Sequence, residues 1–333
     1  MYNSTPVGSN VSIIIITYNS EMFISDCLTS IKQQSYKRFE VIIVDNASTD
    51  KTTEIIEECF PWLKLIKLKK NIGFAAGVNL GYSYSTGQYI ALLNPDAKAD
   101  RYWLNNLVAA MNSNAKYGSC ASLMIKWGTQ KVDTAGDGCT WAGKGYKIGH
   151  NQLAADFGES RDVFAACGGA ALYRRSMIEE IGFFDPDFFL LHEDTDLGFR
   201  AQLAGWKCRY VHNAVVEHKV SASIGYKSSL AVYHSVKNSD QVWLKNMPLI
   251  PMLLSFPEKV LSDLASLIYL GLIHKRFKEF LRAKINTILN FPKIMLKRKN
   301  VQKKKGIGNI RLLQLLTPFI SVDYLFNLYN KRS

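Results

Sequence analysis

Apolar and polar positions along the first two thirds of this chain switch repeatedly between two periods. VSIIIIT (11–17) is a continuous apolar run of the kind buried on both faces of a sheet. EMFISDCLTSIKQQ (21–34) spaces Phe23, Cys27, Leu28 and Ile31 as a helical stripe. The pattern then predicts a strand at EVIIVD (40–45), a short helix at TTEIIEECF (52–60) and a period-two strand at LKLIKL (63–68). A small-residue helix follows at GFAAGVNLGYSYS (73–85), a strand at YIALLN (89–94), a helix at RYWLNNLVAAM (101–111) and a strand near SCASLMI (119–125). Such alternation predicts an α/β fold with a mostly parallel sheet covered on both faces. The Gly-rich stretch TAGDGCTWAGKGYKIG (134–149) interrupts it and reads as a loop or hairpin over a site. Beyond it come ACGGAALYRR, the run FFLLHEDTD, and CRYVHNAVVEH, which reads as a strand pair.

Three acidic clusters each stand at the end of an apolar run that reads as a buried strand. VIIVDNASTD ends on Asp45 and Asp50, YIALLNPDA on Asp96, and FFLLHEDTD holds Glu193, Asp194 and Asp196. Carboxylates just past the carboxyl ends of parallel strands face the crevice where α/β sheets bind ligands. Three clusters at one rim would repel unless a cation, a proton or a ligand donor relieved them. Each cluster also has an ordinary structural reading. Asp-Asn-x-Ser makes a turn and helix cap, Asn-Pro-Asp makes a turn, and Glu193 to Asp196 cap the helix LGFRAQLAG, with Asp196 pairing Arg200 at i,i+4. The three in this order argue for one site.

Composition narrows the class. The chain has 333 residues, 47% hydrophobic and 12% aromatic, enough for one large α/β domain with an appendage. Its six cysteines (Cys27, Cys59, Cys120, Cys139, Cys167, Cys208) are scattered without a CxxC pair, which argues against a zinc site or disulfide framework and for reduced thiols in a cytosol. The leading MYNSTPVGSN lacks Lys and Arg and does not have the pattern of a signal peptide. Charge divides the chain. Residues 1–234 carry 23 Lys and Arg and 23 Asp and Glu; residues 235–333 carry 18 and 5, the whole net charge of +13. The reading is a neutral catalytic part, 1–234, and a basic helical part, 235–333.

SIIIITYNS, VIIVDNASTDKT, NIGFAAGVNLG, YIALLNPDA, GGAALYRRSMIEEIGFFDPDFFLLHEDTDLGFRAQLAGW and VVEH, in this order over residues 11–218, resemble glycosyltransferase family 2, whose GT-A fold is a nucleotide-sugar-binding α/β sandwich. DNAS, NIGFAAGVN, NPDA, DTAGDG, VWLKNMP and LLQLLTPF are most similar to bacterial rhamnosyltransferases of surface-polysaccharide assembly, such as O-antigen synthesis.

Glycosyl transfer needs a grip on the base, neutralisation of the leaving diphosphate, a base for the acceptor hydroxyl, and exclusion of water. Asp45 can accept from the N3–H of uracil or thymine, with the turn Thr17-Tyr18-Asn19 lining the same pocket. The resemblance implies that Asn71 and Gly73 border the nucleotide, and that Asn94-Pro95-Asp96 stands where the family has an Asp-x-Asp pair binding Mg²⁺ or Mn²⁺ at the diphosphate. Asn94 replaces the first Asp and removes one charge. His218 matches the family's histidine near the diphosphate, and an imidazole suits Mn²⁺ better than Mg²⁺; its ordinary reading is a strand-end histidine bonded to backbone. Asp194, in the family's Glu-Asp pair with Glu193, matches the general base. The helix N-terminus favours its charge, while Glu193, Asp196 and the Phe188–Leu191 cleft disfavour it. No second nucleophile stands out, so direct displacement would invert the anomeric centre.

The donor expectation is dTDP-L-rhamnose, with UDP-galactose or UDP-glucose fitting the same Asp45 contact, and the acceptor a saccharide or polyprenyl-linked saccharide. LIPMLLSF, LASLIYLGLI and LLQLLTPFI are too short to span a membrane and are interrupted by Pro248, Pro251, Pro257, Glu258, Lys259 and Asp263. Basic runs at His274-Lys275-Arg276, Lys297-Arg298-Lys299 and Lys303-Lys304-Lys305 flank them. This pattern predicts peripheral attachment to an anionic membrane, at the cytoplasmic face of a bacterial inner membrane; an ordinary helical cap is the alternative. Nucleic acid is not expected as a partner, since the neutral front offers no basic groove. A non-catalytic nucleotide-sugar-binding protein is the other function class, against which the set Asp45, Asp96, Asp194 and His218 speaks. A sugar nucleotidyltransferase would carry a Gly-rich triphosphate loop near the start, which TYNSEMF lacks.

Overall fold

The computed structural model describes residues 10–219, 228–318 and 321. The expectation for MYNSTPVGS lies outside them, as do Phe319 and Ile320 of the last apolar stretch. In chain order the elements are β1 (Val11–Thr17), α1 (Ile24–Lys32), β2 (Phe39–Asp45), α2 (Thr52–Cys59), β3 (Lys64–Lys67), α3 (Phe74–Ser83), β4 (Tyr89–Leu93), β5 (Ala97–Ala99), α4 (Trp103–Asn112) and β6 (Tyr117–Lys126). There follow β7 (Val132–Thr134), β8 (Asp137–Cys139), β9 (Gly145–Lys147), β10 (Arg161–Val163), β11 (Ala170–Arg174), α5 (Arg175–Ile181), α6 (Glu193–Ala204) and β12 (Lys207–His218). The remainder is helical: α7 (Ser229–Asn246), α8 (Leu249–Ser266), α9 (Phe277–Leu289), α10 (Phe291–Lys303) and α11 (Asn309–Leu315).

The sheet runs β10-β12-β6-β11-β4-β1-β2-β3. From β12 to β3 six of seven strands point one way and β11 opposes them, so the central sheet is mostly parallel as expected. Its two faces are separate cores. Along β1, Ile13 and Ile15 pack with Leu28, Ile31, Trp103 and Leu107, while Ile14 and Ile16 pack with Ala75, Val78, Phe188 and Phe199. A strand buried on both sides needs apolar residues at every position, which is why VSIIIIT reads as a run rather than an alternation. Gly-rich 134–149 does contain a hairpin, β8 against β9.

Three segments depart from the sequence pattern. CRYVHNAVVEH is one strand, β12, whose pairing with β6 shifts between Val211 and Val215. The polar His212-Asn213 hump is absorbed as a bulge, with Asn213 O accepting from Asn106 Nδ2 at 2.6 Å, so no turn is needed. The run Phe188–Leu191 is not a strand. Leu191 and His192 sit at φ 66° and 67°, and the carbonyls of Leu190 and Leu191 are taken by Asn238 Nδ2 at 2.8 and 2.7 Å instead of by a sheet neighbour. The third acidic cluster is therefore delivered by the head of α6. Finally, LIPMLLSF and LASLIYLGLI are one continuous helical rod, α8 running directly into a π-helical segment, Leu267–Ile273. Pro248 caps it and Pro251 lies in its first turn, where an N–H has no partner to lose; Pro257 sits inside. No described helix is long and apolar enough to cross a membrane.

Residue 234 lies within α7, and the helices beyond it share the core of the sheet. Val242, Trp243, Met247, Leu312 and Leu316 belong to the same apolar cluster as Ile14, Phe188 and Phe199. At its centre Asp196 accepts from Arg200 Nε at 2.9 Å, Lys245 Nζ at 2.7 Å and Asn246 Nδ2 at 2.8 Å, so the predicted i,i+4 pair is one part of a larger knot. Burial opposes the charge of Asp196, but Lys245 and Arg200 outweigh it and hold its carboxyl below the usual range. Removing one member of a buried charge cluster strands the others. Asp196→Ala should lower unfolding free energy by about 3–5 kcal/mol, measured by urea unfolding followed through tryptophan fluorescence. A loss under about 1 kcal/mol, the scale of an exposed pair, would show that the knot is not what holds α6 to α7.

Candidate active site

The first half of the site forms where β1 and β2 end side by side. Thr17 and Asp45 are register partners, and Thr17 Oγ1 donates to Asp45 Oδ1 at 2.8 Å. Ser48 closes a turn by donating its hydroxyl to Oδ1 at 2.5 Å and its N–H to Oδ2 at 3.0 Å. The turn reading of this cluster is realised, while the head of α2 is held by Asp50, which accepts from Thr52 N–H at 3.0 Å. Among the described residues Asp45 Oδ2 accepts one bond, leaving a lone pair for another donor. Asn19, at φ 49°, accepts from Thr49 N–H at 2.8 Å, and Tyr18 beside it is half exposed. Asn46, which the sequence did not single out, binds the opposite loop by donating to Gly73 O and accepting from Ile72 N–H, both at 3.1 Å. Asn71 Oδ1 accepts from Gly73 N–H at 2.8 Å. Gly73 has φ 86°, and a Cβ there would lie 2.5 Å from both Phe189 Cδ2 and Phe189 O. Only glycine lets this loop meet the loop that leads into α6.

The second half is a chain of alternating charges. Asn94 N–H donates to Gly169 O at 2.8 Å, and Ala97 N–H returns to Asn94 O at 3.1 Å, which turns the chain and buries Asp96. His218, at the end of β12, places Nε2 3.3 Å from Asp96 Oδ1 and Nδ1 2.9 Å from Asp133 Oδ2. Lys147 Nζ donates to the other oxygen of Asp133 at 2.6 Å. Lys147 on β9 is the register partner of Asp137 on β8, so the hairpin brings both to the site. Asp137, Cys167 and Asp194 then present one oxygen, sulfur and oxygen within 4.8 Å of one another. Asp194 accepts from Gly168 N–H at 3.2 Å and Thr195 N–H at 2.7 Å. Asp96, His218 and Asp194 are thus gathered along one line. Glu193 is buried beside Asp194, and its Oε2 has no hydrogen-bond partner among the described residues.

Burial and like charge set the protonation of this line. Burial, then the charge of Asp194, push Glu193 well above the usual carboxylate range and Asp137 up to about 8. Asp194 is raised by burial against the opposing pull of the Gly168 and Thr195 N–H groups and Lys147. Asp133 is buried too, yet Lys147 and His218 hold it well below the usual range. Burial works against the charge of His218, but Asp133 and Asp96 outweigh it and push the imidazole up to about 9.

Asp96 and His218 could hold a cation. Asp96 Oδ1 is buried, and apart from the His218 ring 3.3 Å away it meets no hydrogen-bond donor among the described residues. His218 aims Nε2 toward it while a carboxylate holds Nδ1, the pairing that orients metal-binding histidines. That oxygen and nitrogen set fits Mg²⁺ or Mn²⁺. The Asp137–Cys167–Asp194 group fits these hard cations less well, because burial raises its thiol well above the usual value. Asp133, Asp137, Lys147 and Cys167 were not among the sequence candidates. The legible signal was DTAGDG, two carboxylates four apart in a Gly-rich stretch.

This site lies on a fold and sequence with known relatives. The model of glycosyl transferase family 2 matches residues 12–182, and the chain belongs to that family. It is 26% identical over 252 residues to an N-acetylglucosaminyl-diphospho-decaprenol L-rhamnosyltransferase of Mycobacterium tuberculosis, covering 67% of this chain and 80% of that one. It is 34% identical over 107 residues to an uncharacterized glycosyltransferase of Haemophilus influenzae, covering 31% of this chain and 33% of that one. Among solved structures, the fold is similar to a Pyrobaculum calidifontis mannosyltransferase in complex with GDP-Man and Mn²⁺ (TM-score 0.55, 19% identity, 97% and 88% of the two chains covered). It is also similar to S. aureus TarS in complex with UDP-GlcNAc (TM-score 0.56, 17% identity, 91% and 89% covered).

A histidine whose folded value exceeds its unfolded one contributes stability below the unfolded value, about 6.5, and loses it as pH rises through about 9. In metal-free protein, proton NMR of the His218 ring should show titration near 9. Asp133→Asn should bring it down by roughly a unit or more, since the carboxylate that favours the imidazolium is gone. An unmoved titration would mean that Asp133 does not act on His218.

Proposed function

We propose that the protein is an inverting glycosyltransferase of cell-surface polysaccharide synthesis, with residues 1–234 as its transferase part. The donor is dTDP-L-rhamnose and the acceptor a saccharide carried on a polyprenyl diphosphate; UDP-hexoses are the alternative donors for the same base contact. The observation that carries this reading is the raised carboxyl of Asp194, held by two backbone N–H groups at one end of a charge line whose other end is Asp96 and His218. The mycobacterial relative's name, which specifies an L-rhamnosyl donor and a decaprenol-linked acceptor, supports the choice of both.

The roles follow from the chemistry each side chain has available. Asp45 accepts the N3–H of thymine or uracil through the free capacity of Oδ2, and Thr17, Tyr18, Asn19, Asn71 and Gly73 line the nucleoside. Asp194 takes the proton of the acceptor hydroxyl as its oxygen attacks the sugar's C1. The bond from C1 to the diphosphate oxygen breaks on the opposite face, and the nucleoside diphosphate leaves. Glu193, buried and with no partner for one oxygen among the described residues, is driven toward the neutral acid, which leaves the charge of the pair to Asp194; burial makes Asp194 in turn more basic than an exposed carboxylate. Asp96 and His218, with Asn94, would hold a divalent cation, which when bound would neutralise charge on the leaving diphosphate. The basic part, 235–333, attaches the protein peripherally to an anionic membrane at the cytoplasmic face of the inner membrane, where a polyprenyl-linked acceptor would be met.

Asp194→Asn should keep the fold and nucleotide binding and lower turnover at least about 10²-fold, the lower end for loss of a general base. Turnover within a factor of two of the parent would sink the assignment. Donor binding by calorimetry, with dTDP-L-rhamnose and the UDP-hexoses in Mg²⁺ and then Mn²⁺, decides the sugar and the ion.

Chelation should abolish or strongly reduce transfer, and Asp96→Ala should weaken diphosphate binding more than nucleoside binding, because the cation meets phosphates and not the base. Full activity in EDTA would assign neutralisation of the leaving group to protein charges instead.

A further inference from the structure

The helical rod that begins with α8 has two opposite faces of unlike chemistry. Pro251, Ser255, Lys259 and Ser262 are buried, and they recur every three or four residues. Two positions further on, on the other side of the helix, Leu253, Leu261, Leu264 and Ile268 are each at least half exposed. The charges that interrupt the apolar run in the sequence turn inward. Lys259 Nζ bonds Asp240 at 2.5 Å and Asp263 at 2.7 Å, and Lys284 of α9 bonds the same two carboxylates at 2.9 and 2.8 Å. This inward pairing strips the outer face of charge. The next helix, α9, repeats the arrangement: Phe280, Ala283 and Thr287 are buried, while Leu281, Ile285 and Ile288 are exposed.

Leu249, Ile250, Leu254, Phe256, Leu272 and Ile273 are exposed on the same rod as well, and an apolar surface of this kind marks an interaction site. Its surround is basic. Lys275, Lys278 and Arg282, at the turn before α9 and on α9, are exposed. Of the carboxylates between 249 and 318, which are Glu258, Asp263 and Glu279, Asp263 is taken inward by two lysines. An apolar face bordered by lysine and arginine matches the acyl and headgroup layers of an anionic bilayer, with the long cationic side chains reaching up to the headgroups.

We infer that the outer faces of α8, its π-helical extension and α9 form a single bilayer-docking surface, which lies in the interface of an anionic phospholipid membrane parallel to its plane. This rests on the membrane attachment proposed above and specifies what performs it. The surface also stands close to the chemistry. On the inner side of α8, Lys144 from the turn between β8 and β9 donates to Ser262 O at 3.0 Å and to the Ser266 hydroxyl. The hairpin that carries Asp137 and Lys147 therefore sits about one helix diameter, roughly 10–12 Å, from the docking face, within reach of an acceptor whose lipid stays in the membrane.

Vesicle flotation of the full-length chain tests this, with phosphatidylcholine vesicles and with vesicles also containing phosphatidylglycerol. The parent should float with the anionic vesicles and only weakly with the neutral ones. Leu253→Asp with Leu261→Asp should lower binding to anionic vesicles roughly tenfold or more, because two apolar side chains no longer leave water. Leu264→Asp with Ile268→Asp, further along the same face, should do the same. Lys278→Glu with Arg282→Glu should remove the preference for anionic lipid while leaving weak binding to neutral vesicles. Circular dichroism and nucleotide binding should match the parent in every case, since none of these side chains is buried. If the parent floats and both apolar pairs float equally well, the face is wrong although membrane attachment stands. If the parent floats with neither vesicle, attachment itself falls. If the parent is a dimer in solution that the apolar pairs make monomeric without changing flotation, the face joins two copies and the proposal is overturned.

Discussion

The ion cluster at Asp196 governs where Asp194 is held. Both belong to the first turn of α6, and in a helix residues two apart face in different directions. Arg200, Lys245 and Asn246 hold Asp196 on the side of α7. Asp194 is thereby left on the side of the sheet, where Gly168 and Thr195 N–H groups receive it. The same knot extends outward. Lys245 also bonds Asp185 at 2.6 Å, Lys297 of α10 pairs with Asp185 and Asp187, and Arg200 donates to the carbonyls of Ile181, Gly182 and Phe183. The irregular segment between α5 and α6 has little regular backbone pairing of its own: Arg200 of α6 takes its first carbonyls, and Lys245 and Lys297 from the basic part hold its carboxylates. The sheet and the helices after residue 234 are one packed unit because the head of α6 requires both.

A second constraint is the relief of like charge at the rim. Asp96, Asp133, Asp137, Glu193 and Asp194 converge, and in a low-dielectric crevice they cannot all be ionised. The structure separates them by environment. Asp133 stays charged between Lys147 and His218, while Asp137 and Glu193 are driven toward the neutral acid. Asp194 lies between these extremes, raised by burial and restrained by N–H donors and Lys147. A carboxylate so placed is more basic than an exposed one and still able to ionise, which is the compromise proton abstraction needs. Lys147 reaches the line only because the β8–β9 hairpin sets it opposite Asp137, and that hairpin is itself braced by Thr317, whose N–H donates to Cys139 O at 2.9 Å and whose O accepts from Trp141 N–H at 3.0 Å.

In the basic part the same paired charges serve packing and exposure together. Lys259, Asp263, Asp240 and Lys284 satisfy one another against the protein, so the helices are anchored by ions as well as by the apolar cluster of Val232, Val236, Phe280 and Ala283. The apolar side chains are then free to face outward, an inversion of the usual amphipathic helix of a globular domain.

Much of this was legible in the sequence by itself. Period and run length marked β1, β2, β3 and β4 and the helices between them nearly residue by residue, because a strand covered on both faces and a helix covered on one leave different imprints. The ordered acidic motifs marked the rim, and the uneven charge marked the basic part. What the local pattern did not contain was decided by partners far along the chain. Phe188–Leu191 has the composition of a strand but turns, because Asn238, some fifty residues later, takes its carbonyls. Asp133, Asp137 and Lys147 look like loop residues until β7 and the β8–β9 hairpin bring them against His218 and Asp194. Lys259 and Asp263 look like interruptions of an apolar helix until Asp240 and Lys284 draw them inward. Periodicity records which face of an element is covered by neighbours of any kind, whereas the protonation and direction of a charged side chain depend on which particular groups arrive beside it, and only the tertiary structure brings those together.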